Sequence, residues 1–389
     1  ARAEQRVEYD VLREEFPTEQ LDELIALIVE MESCQSESML IAGAVYPREV
    51  VVSRIQKLDA ECIRYILDCL REVKPQIKNM KKLAIGVRSK WWYDETNPDG
   101  SIRFIKECGM DAIDYGINLL FDESFDEENL TSFFDKSLEE LYAYYRPLKD
   151  ALKKYDVFIS QMHGIFQLYY PGEEAKSNYL TEVTEKMIAV CKYMDCPAIV
   201  IHPWSGPNIH KAEEKQRNME MYRRLIPSAK KYGVTVCLEN LNQKYGVECY
   251  EGGCADAFEA RDLIDTLNAE AGEEVFGFCL DTGHIRITRR NLYQFITTLG
   301  SRIKLLHIHD NDGVCDSHML PYTQMERTGT KTSTDWEMFL KGLSEIGFEG
   351  TLSFECSKGI RTPPIELRKA LLRFLRQKVS VKQALARRF

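Results

Sequence analysis

The sequence lacks long hydrophobic runs, since no apolar stretch approaches the ~20 residues of a membrane-spanning helix. Residues 1–16 are charged and have no apolar centre, so we expect no secretory signal. Cysteine pairs with zinc-ribbon spacing are also missing, although the chain has 12 cysteines. These absences favour a cytoplasmic protein without membrane association, whose thiols are reduced and mostly buried.

Positive charge is scarce as well. The formal net charge is −10, with 51 Lys and Arg against 61 Asp and Glu. Tight binding to a nucleic-acid backbone needs clustered Lys and Arg, so nucleic acid is not the expected partner. The phosphate-binding patterns GxGxxG and GxxxxGK(S/T) follow none of the predicted strands, which excludes nucleotide sites of those two kinds.

Residues 1–80 are predicted to be helical. One helix face is outlined by the apolar residues Leu21, Leu24, Ile25, Ile28 and Val29. The pattern of this segment resembles a small helical domain of replication-initiator proteins, and the alternative is a helical extension packed on the main domain. We therefore predict two domains, a helical one over 1–80 and a catalytic one over 81–389.

After residue 81, eight short apolar runs alternate with amphipathic stretches. The runs cover 82–87, 111–117, 157–163, 197–203, 234–240, 275–281, 303–309 and 350–356. Near-continuous apolar strands separated by helices indicate a parallel sheet that is buried on both faces. Eight such units predict an α/β fold, a (β/α)8 TIM barrel with an N-terminal helical extension or small helical domain.

The stretch 307–318, HIHDNDGVCDSH, contains three of the chain's seven histidines and three aspartates. In a (β/α)8 barrel, the carboxyl ends of the strands carry the chemistry. Those predicted ends hold His163, His202, Glu239, Asp281, His307 and Glu355. Further polar residues follow closely in the chain, namely His284, His309, Asp316 and His318. We expect all of them to converge on one rim.

This mixture of side chains suits a divalent metal ion. Imidazole nitrogens and carboxylate oxygens together bind Zn²⁺, Mn²⁺ or Co²⁺, and carboxylates also bind Mg²⁺. Such an ion acts as a Lewis acid on a carbonyl group, and a neighbouring carboxylate can remove the adjacent proton.

The region from Lys81 to about residue 375 resembles a known superfamily. The matching segments are IVIHPW, VCLENL, CLDTGHI, LLHIHDNDG, DSH and TLSFE, in family order. They are similar to the xylose isomerase-like TIM-barrel superfamily of sugar phosphate isomerases and epimerases, which is related to the apurinic endonucleases. The resemblance implies a metal-dependent isomerase or epimerase that acts on a sugar or sugar phosphate, and we expect a homo-oligomer.

The resemblance also assigns roles to residues. It implies a metal site formed by Glu239, Asp281, His307 and Glu355. Glu239 and Glu355 would also serve as the acid and base, and His284 would contact the substrate. Further metal or substrate ligands would be His163, His202, His309, Asp316 and His318. We expect Trp204 and Tyr245 to cover a sugar ring, unless each packs only its own loop.

Two other functions stay open at this point. One is an apurinic-site endonuclease with a trinuclear zinc site, because the additional ligands would complete such a set. The acidic loop 121–130 opposes it, since its charge would repel a DNA duplex. The other is a non-catalytic binding barrel. Ketose 3-epimerases carry a glutamate where this chain has Tyr245 and an arginine where it has Gly313, which disfavours a ketohexose 3-epimerase.

Overall fold

The computed structural model of the protein describes residues 38–41, 44–47, 83–121, 130–206, 209–246, 248–323 and 334–385. The chain forms two compact units, Ala1–Lys82 with Gln377–Phe389, and Leu83–Arg376. In the first unit, strands β1 (Ser38–Ile41) and β2 (Ala44–Pro47) pair antiparallel. The helices that the sequence predicts within 1–80 lie outside the described residues.

Eight parallel strands form a barrel in the second unit. They are β3 (Ile85–Arg88), β4 (Ala112–Tyr115), β5 (Phe158–His163), β6 (Ala198–Val200), β7 (Thr235–Glu239), β10 (Phe276–Asp281), β11 (Ile303–His307) and β12 (Leu352–Phe354). Each strand overlaps one of the predicted apolar runs, and the predicted TIM barrel is confirmed. A parallel bridge between Ile308 and Phe354 joins β11 to β12 and completes the ring.

Helices connect the strands and cover the barrel. They are α1 (Pro98–Glu107), α2 (Leu138–Tyr155), α3 (Glu174–Tyr193), α4 (Lys211–Arg223), α5 (Ile226–Tyr232), α6 (Ala257–Ala271), α7 (Thr282–Ile287), α8 (Leu292–Leu299), α9 (Trp336–Glu345), α10 (Ser357–Arg361) and α11 (Ile365–Leu385). A short hairpin, β8 (Asn242–Tyr245) with β9 (Glu248–Glu251), follows β7. Among the described helices, none combines the length and apolar character needed to cross a membrane.

Local sequence signals fix where several helices begin. Ser137 caps α2, where its hydroxyl accepts the Glu140 N–H and the Glu140 carboxylate accepts the Ser137 N–H. Asp256 caps α6 by accepting the N–H groups of Phe258 and Glu259. These caps satisfy N–H groups that have no partner within the helix.

Small and medium side chains fill the inside of the barrel below the rim. They form a buried cluster of Ala198, Val200, Cys237, Cys279 and Leu305. Cys237 precedes Glu239 by two residues, and Cys279 precedes Asp281 by two, so each thiol shares a face with the carboxylate above it. Burial raises the pKa of both thiols well above its usual value, which is the behaviour of packing cysteines.

Shortening Leu305 should destabilise the barrel, because a cavity would open in this closely packed layer. We expect Leu305→Ala to lower the free energy of unfolding by about 2–5 kcal/mol. The control is Leu367, which is 52% exposed on α11. Leu367→Ala should change the free energy of unfolding by less than about 0.5 kcal/mol. Urea unfolding measures both variants, and equal effects would contradict the packing of this layer.

Candidate active site

Every barrel strand carries a polar side chain at or near its carboxyl end. In chain order these residues are Arg88, Asp114, His163, His202, Glu239, Asp281, His307 and Glu355. The parallel register places Arg88 beside Asp114, and Asp281 beside His307. The sequence prediction that polar residues converge at this rim therefore corresponds to the observed geometry.

Four of these residues form a buried group at the centre of the rim. The possible ligand atoms of Glu239, Asp281, His307 and Glu355 all lie within 4.8 Å of one another. His307 Nδ1 lies 2.9 Å from Glu239 Oε1 and 3.3 Å from Glu355 Oε2. Three carboxylates this close repel one another, so their burial requires compensating positive charge.

The donor set of this group fits a divalent ion. One imidazole and three carboxylates are ligands that Zn²⁺, Mn²⁺ and Co²⁺ accept together. His307 Nε2 lies 3.3 Å from Asp114 Oδ2, which is the arrangement in which a carboxylate orients a metal-binding imidazole. Nδ1 then faces the other three residues of the group.

Arg88 and Asp114 are site residues that the sequence analysis did not identify. Arg88 Nη1 lies 3.0 Å from Glu355 Oε1 and 3.6 Å from Asp114 Oδ2, and Arg88 is only 4% exposed. The predicted first strand ended at residue 87, one residue before Arg88. Asp114 lies within the second predicted strand, so no end position drew attention to it.

Burial and neighbouring charges determine the protonation of the central group. Burial raises the pKa of Glu239, but His307 and His202 outweigh it and hold this pKa well below the usual range. The pKa of Glu355 is lowered in the same way, because His307, Arg88 and His318 outweigh burial. Both carboxyl groups are therefore anionic at neutral pH.

A second group contains His163, His202 and Glu239. The Nε2 atoms of the two histidines lie 3.1 Å apart, and His202 Nε2 lies 3.1 Å from Glu239 Oε2. His163 Nδ1 donates to the carbonyl of Gly164 at 2.9 Å. Burial, together with Arg88, lowers the pKa of His163 well below its usual value, so its ring is neutral and its Nε2 lone pair faces the group.

A third group contains His309, Asp316 and His318, with His284 beside it. His318 Nε2 lies 2.9 Å from Asp316 Oδ2, and its Nδ1 donates to the carbonyl of Glu355 at 2.8 Å. His284 Nδ1 donates to the carbonyl of Asn240 at 2.8 Å, and its Nε2 lies 3.5 Å from Asp316 Oδ2.

The charges within the third group oppose one another. Burial lowers the pKa of His284, but Asp281 and Asp316 outweigh it and raise this pKa well above the usual value. Burial also raises the pKa of Asp316, yet hydrogen bonds from His284 and His318 leave it lowered. Asp316 is thus paired with the protonated imidazoles of His284 and His318.

The stretch 307–318 divides between the site and its support. His307, His309, Asp316 and His318 belong to the three groups. Asp310 Oδ1 instead accepts hydrogen bonds from the N–H and the hydroxyl of Thr334. The remaining aspartate, Asp312, accepts the N–H groups of Val314 and Cys315. Two of the three aspartates therefore have structural contacts outside the three groups.

The groups surround a cleft of about 310 Å³. Its walls are Arg88, Lys90, His163, Phe166, His202, Glu239, Leu241, Asn242, His284, Asp316, His318, Glu355 and Ser357. This volume lies within the ~300–1,000 Å³ that is usual for small-molecule sites. The arrangement can hold a small polar molecule against fixed carboxylates and imidazoles.

Trp204 is absent from the described walls of this cleft. It is 7% exposed and packs against Tyr169 and Arg217, whose guanidinium carbon lies 4.7 Å from the ring centre. The side chain of Tyr245 lies outside the described residues. Residues 122–129 of the acidic loop do so as well.

Comparison with known proteins agrees with this geometry. The profile of the xylose isomerase-like TIM barrel family matches residues 102–378, which is more than half of the chain. The chain belongs to the xylose isomerase-like TIM barrel family. A separate family of unknown function (DUF6017) matches residues 3–89, ahead of the residues that the xylose isomerase-like family matches.

Individual relatives are distant. The uncharacterized protein y4fM of Sinorhizobium fredii is 21% identical over 281 residues, 68% of this chain and 82% of that protein. The 3-keto-D-glucoside 4-epimerase YcjR from E. coli is 17% identical with a TM-score of 0.56, covering 76% of this chain and 99% of that one. A structure of IOLI protein with a zinc atom has the same identity and TM-score, covering 79% and 99%. At these identities, the structures share the fold of the xylose isomerase-like barrel.

Removing the Arg88 charge should strongly destabilise the protein, because buried Asp114 and Glu355 would lose their cation. We expect Arg88→Met to lower the free energy of unfolding by about 3–5 kcal/mol. Arg223 forms an exposed ion pair with Glu270 at 2.6 Å, and Arg223→Met should cost about 1 kcal/mol or less. Urea unfolding of metal-free protein compares the two, and similar losses would contradict the role assigned to burial.

His318 should remain protonated above neutral pH in the metal-free protein. Burial lowers its pKa, but Asp316 outweighs burial and raises the pKa of His318 to about 9. Because the folded-state value exceeds the unfolded value of ~6.5, the resulting stabilisation is complete below pH ~6.5 and is lost as pH rises through about 9. NMR titration of the histidine ring protons measures this pKa.

The variant Asp316→Asn provides the comparison for that titration. Without the carboxylate, the pKa of His318 should fall markedly. His163 provides an internal reference, since its pKa lies well below the usual value and its ring should stay neutral at mildly acidic pH. An unchanged His318 titration in the variant would show that Asp316 does not control it.

Proposed function

We propose that the protein is a divalent-metal-dependent isomerase or epimerase of a sugar or sugar phosphate. The observation that carries this proposal is the buried group of Glu239, Asp281, His307 and Glu355 at the carboxyl rim. Support also comes from proteins of similar fold, which include an L-ribulose 3-epimerase and a D-psicose 3-epimerase. A cleft of about 310 Å³ matches a monosaccharide in scale.

The four central residues would hold the ion. Bound there, the ion would supply Lewis-acid polarisation of a substrate carbonyl. Asp114 would keep the His307 imidazole oriented toward the group, since its carboxylate lies 3.3 Å from Nε2. Asp281 accepts the N–H of His284 at 2.7 Å, which fixes the carboxylate at the start of α7.

Glu355 is proposed as the base. Its lowered pKa keeps it anionic, and Arg88 fixes Oε1 at 3.0 Å. The carboxylate would take the proton from the carbon next to the substrate carbonyl. The C–H electron pair would form a double bond to the carbonyl carbon, and the carbonyl π electrons would move to oxygen, which leaves an enediolate. Return of the proton to the neighbouring carbon, with transfer of the hydroxyl proton between the two oxygens, isomerises the sugar. Inversion of the original carbon needs a proton on the other face, which Glu239 would first take up from solvent because it is anionic at rest, while Glu355 would release its proton to solvent.

His284 is proposed to bind the substrate. Its Nδ1–H is engaged by the carbonyl of Asn240, so the ring cannot rotate freely. The raised pKa keeps a second N–H on Nε2, within the wall of the cleft. A hydroxyl or carbonyl oxygen of the sugar would accept a hydrogen bond from this N–H in competition with Asp316, whose Oδ2 lies 3.5 Å from Nε2.

Replacing Glu355 should remove the proton transfer while preserving the fold. We expect Glu355→Gln to lower kcat by about 10²–10⁴-fold on a responsive sugar. Wild-type turnover in D₂O should place solvent deuterium on the reacting carbon, because a carboxylate at an open cleft exchanges its proton. The control is Glu349→Gln, an exposed residue before the amino end of the same strand, which should retain full activity.

Metal analysis of each variant separates catalysis from metal loss. If the variant keeps its metal but loses turnover, Glu355 transfers the proton. If metal content and turnover fall equally, the role of Glu355 is metal binding alone. Full activity of Glu355→Gln would refute the mechanism.

A second candidate is metal-assisted hydrolysis of a phosphodiester at an abasic site. It is favoured by the three adjacent groups of possible ligands, since His163 with His202 and Asp316 with His318 flank the central group. About one ion per chain, with turnover on a sugar panel, would support the isomerase. About three zinc ions per chain, with incision of an abasic duplex, would support the nuclease.

A further inference from the structure

A second cavity lies apart from the cleft, between the loop that follows β3 and helix α2. Its volume is about 170 Å³, and none of its lining residues lines the cleft. The lining residues are Tyr93, Glu95, Thr96, Pro98, Tyr144, Tyr145, Pro147 and Leu148. The cavity therefore has one carboxylate, three tyrosines and no basic side chain in its wall.

Glu95 is a carboxylate without a cationic partner. Its Oε1 accepts the hydroxyl of Tyr115 at 3.0 Å, and its Oε2 accepts the hydroxyl of Tyr144 at 3.1 Å. Within the described part of the chain, Glu95 forms no ion pair with Lys, Arg or His. The two hydroxyl groups fix the carboxylate in the cavity wall.

The hydroxyl group of Tyr145 is a further polar group of the cavity wall. Tyr145 is 1% exposed, and its hydroxyl has no hydrogen-bond partner among the described residues. Buried polar groups are normally hydrogen-bonded, and the Tyr145 hydroxyl is therefore an open position for a ligand.

The tyrosine rings are arranged edge to face. Ring centres lie 5.2 Å apart for Tyr144 and Tyr145, and 5.5 Å apart for Tyr93 and Tyr115. Aromatic faces attract cations, and cages of such rings bind ammonium groups. A cavity of about 150 Å³ holds six carbon atoms as benzene, so this one has room for a small organic head group.

We propose that this cavity binds a small organic ammonium group, held by the carboxylate of Glu95 and the surrounding tyrosines. A carboxylate and three tyrosine rings, in a wall without a basic side chain, favour a cation. This binding site is independent of the proposed sugar chemistry, because the two sets of lining residues do not overlap.

Calorimetric titration of the full-length protein with two isosteric probes tests the proposal. Choline carries the positive charge, and 3,3-dimethylbutan-1-ol has the same shape without it. We expect choline to bind at least about tenfold more tightly. Equal affinities, or no binding of choline at large excess, would overturn the proposal, and neither result depends on a variant.

Variants locate the site. Glu95→Gln should weaken choline binding by about tenfold or more, and Glu139→Gln should leave it unchanged, since Glu139 is exposed on α2 and does not line the cavity. Thermal unfolding checks that each variant is folded. If Glu95→Gln fails to fold, Tyr145→Phe takes its place and should weaken choline binding measurably. Unchanged choline affinity in a folded variant of the lining would also overturn the proposal.

Discussion

Burial of negative charge at the barrel rim is the constraint on which the rest of the site depends. Five carboxylates are gathered there, from Asp114, Glu239, Asp281, Asp316 and Glu355. Removing a carboxylate from water costs several kcal/mol unless positive charge and hydrogen bonds replace the solvent. Arg88, His284, His307 and His318 provide that charge, and the lowered pKa values of the carboxyl groups follow from it. A divalent ion would add further positive charge at the same point.

Backbone carbonyl groups fix the orientation of three histidine rings at the rim. His163, His284 and His318 each donate Nδ1–H to a backbone carbonyl. Each ring therefore presents Nε2 to a neighbouring polar side chain, and its orientation is fixed before any ligand arrives. His307 has the opposite arrangement, with Nε2 toward Asp114 and Nδ1 toward the central group. The backbone thus decides which nitrogen the first three imidazoles offer, and the Asp114 side chain decides it for His307.

Much of the fold and part of the site could be predicted from sequence. Apolar runs of strand length revealed the barrel, and the strand-end rule located His163, Glu239, Asp281 and His307. It missed Arg88 because a predicted strand boundary was one residue short. It missed Asp114 because a single aspartate inside an apolar run carries no local signal. The importance of Asp114 arises from the strand register, which places Asp114 beside Arg88 and across the barrel from His307.

The sequence by itself determined the (β/α)8 architecture, because the period of apolar residues depends only on local chain geometry and burial. It also determined which metal-binding side chains the chain contains. Tertiary structure decided which of these side chains belong to the site: Asp316 lies in it, whereas Asp310 accepts a hydrogen bond from Thr334. It also left Trp204 out of the described cleft and assembled a cavity around Glu95. These outcomes depend on contacts between residues far apart in the chain, which local patterns do not encode.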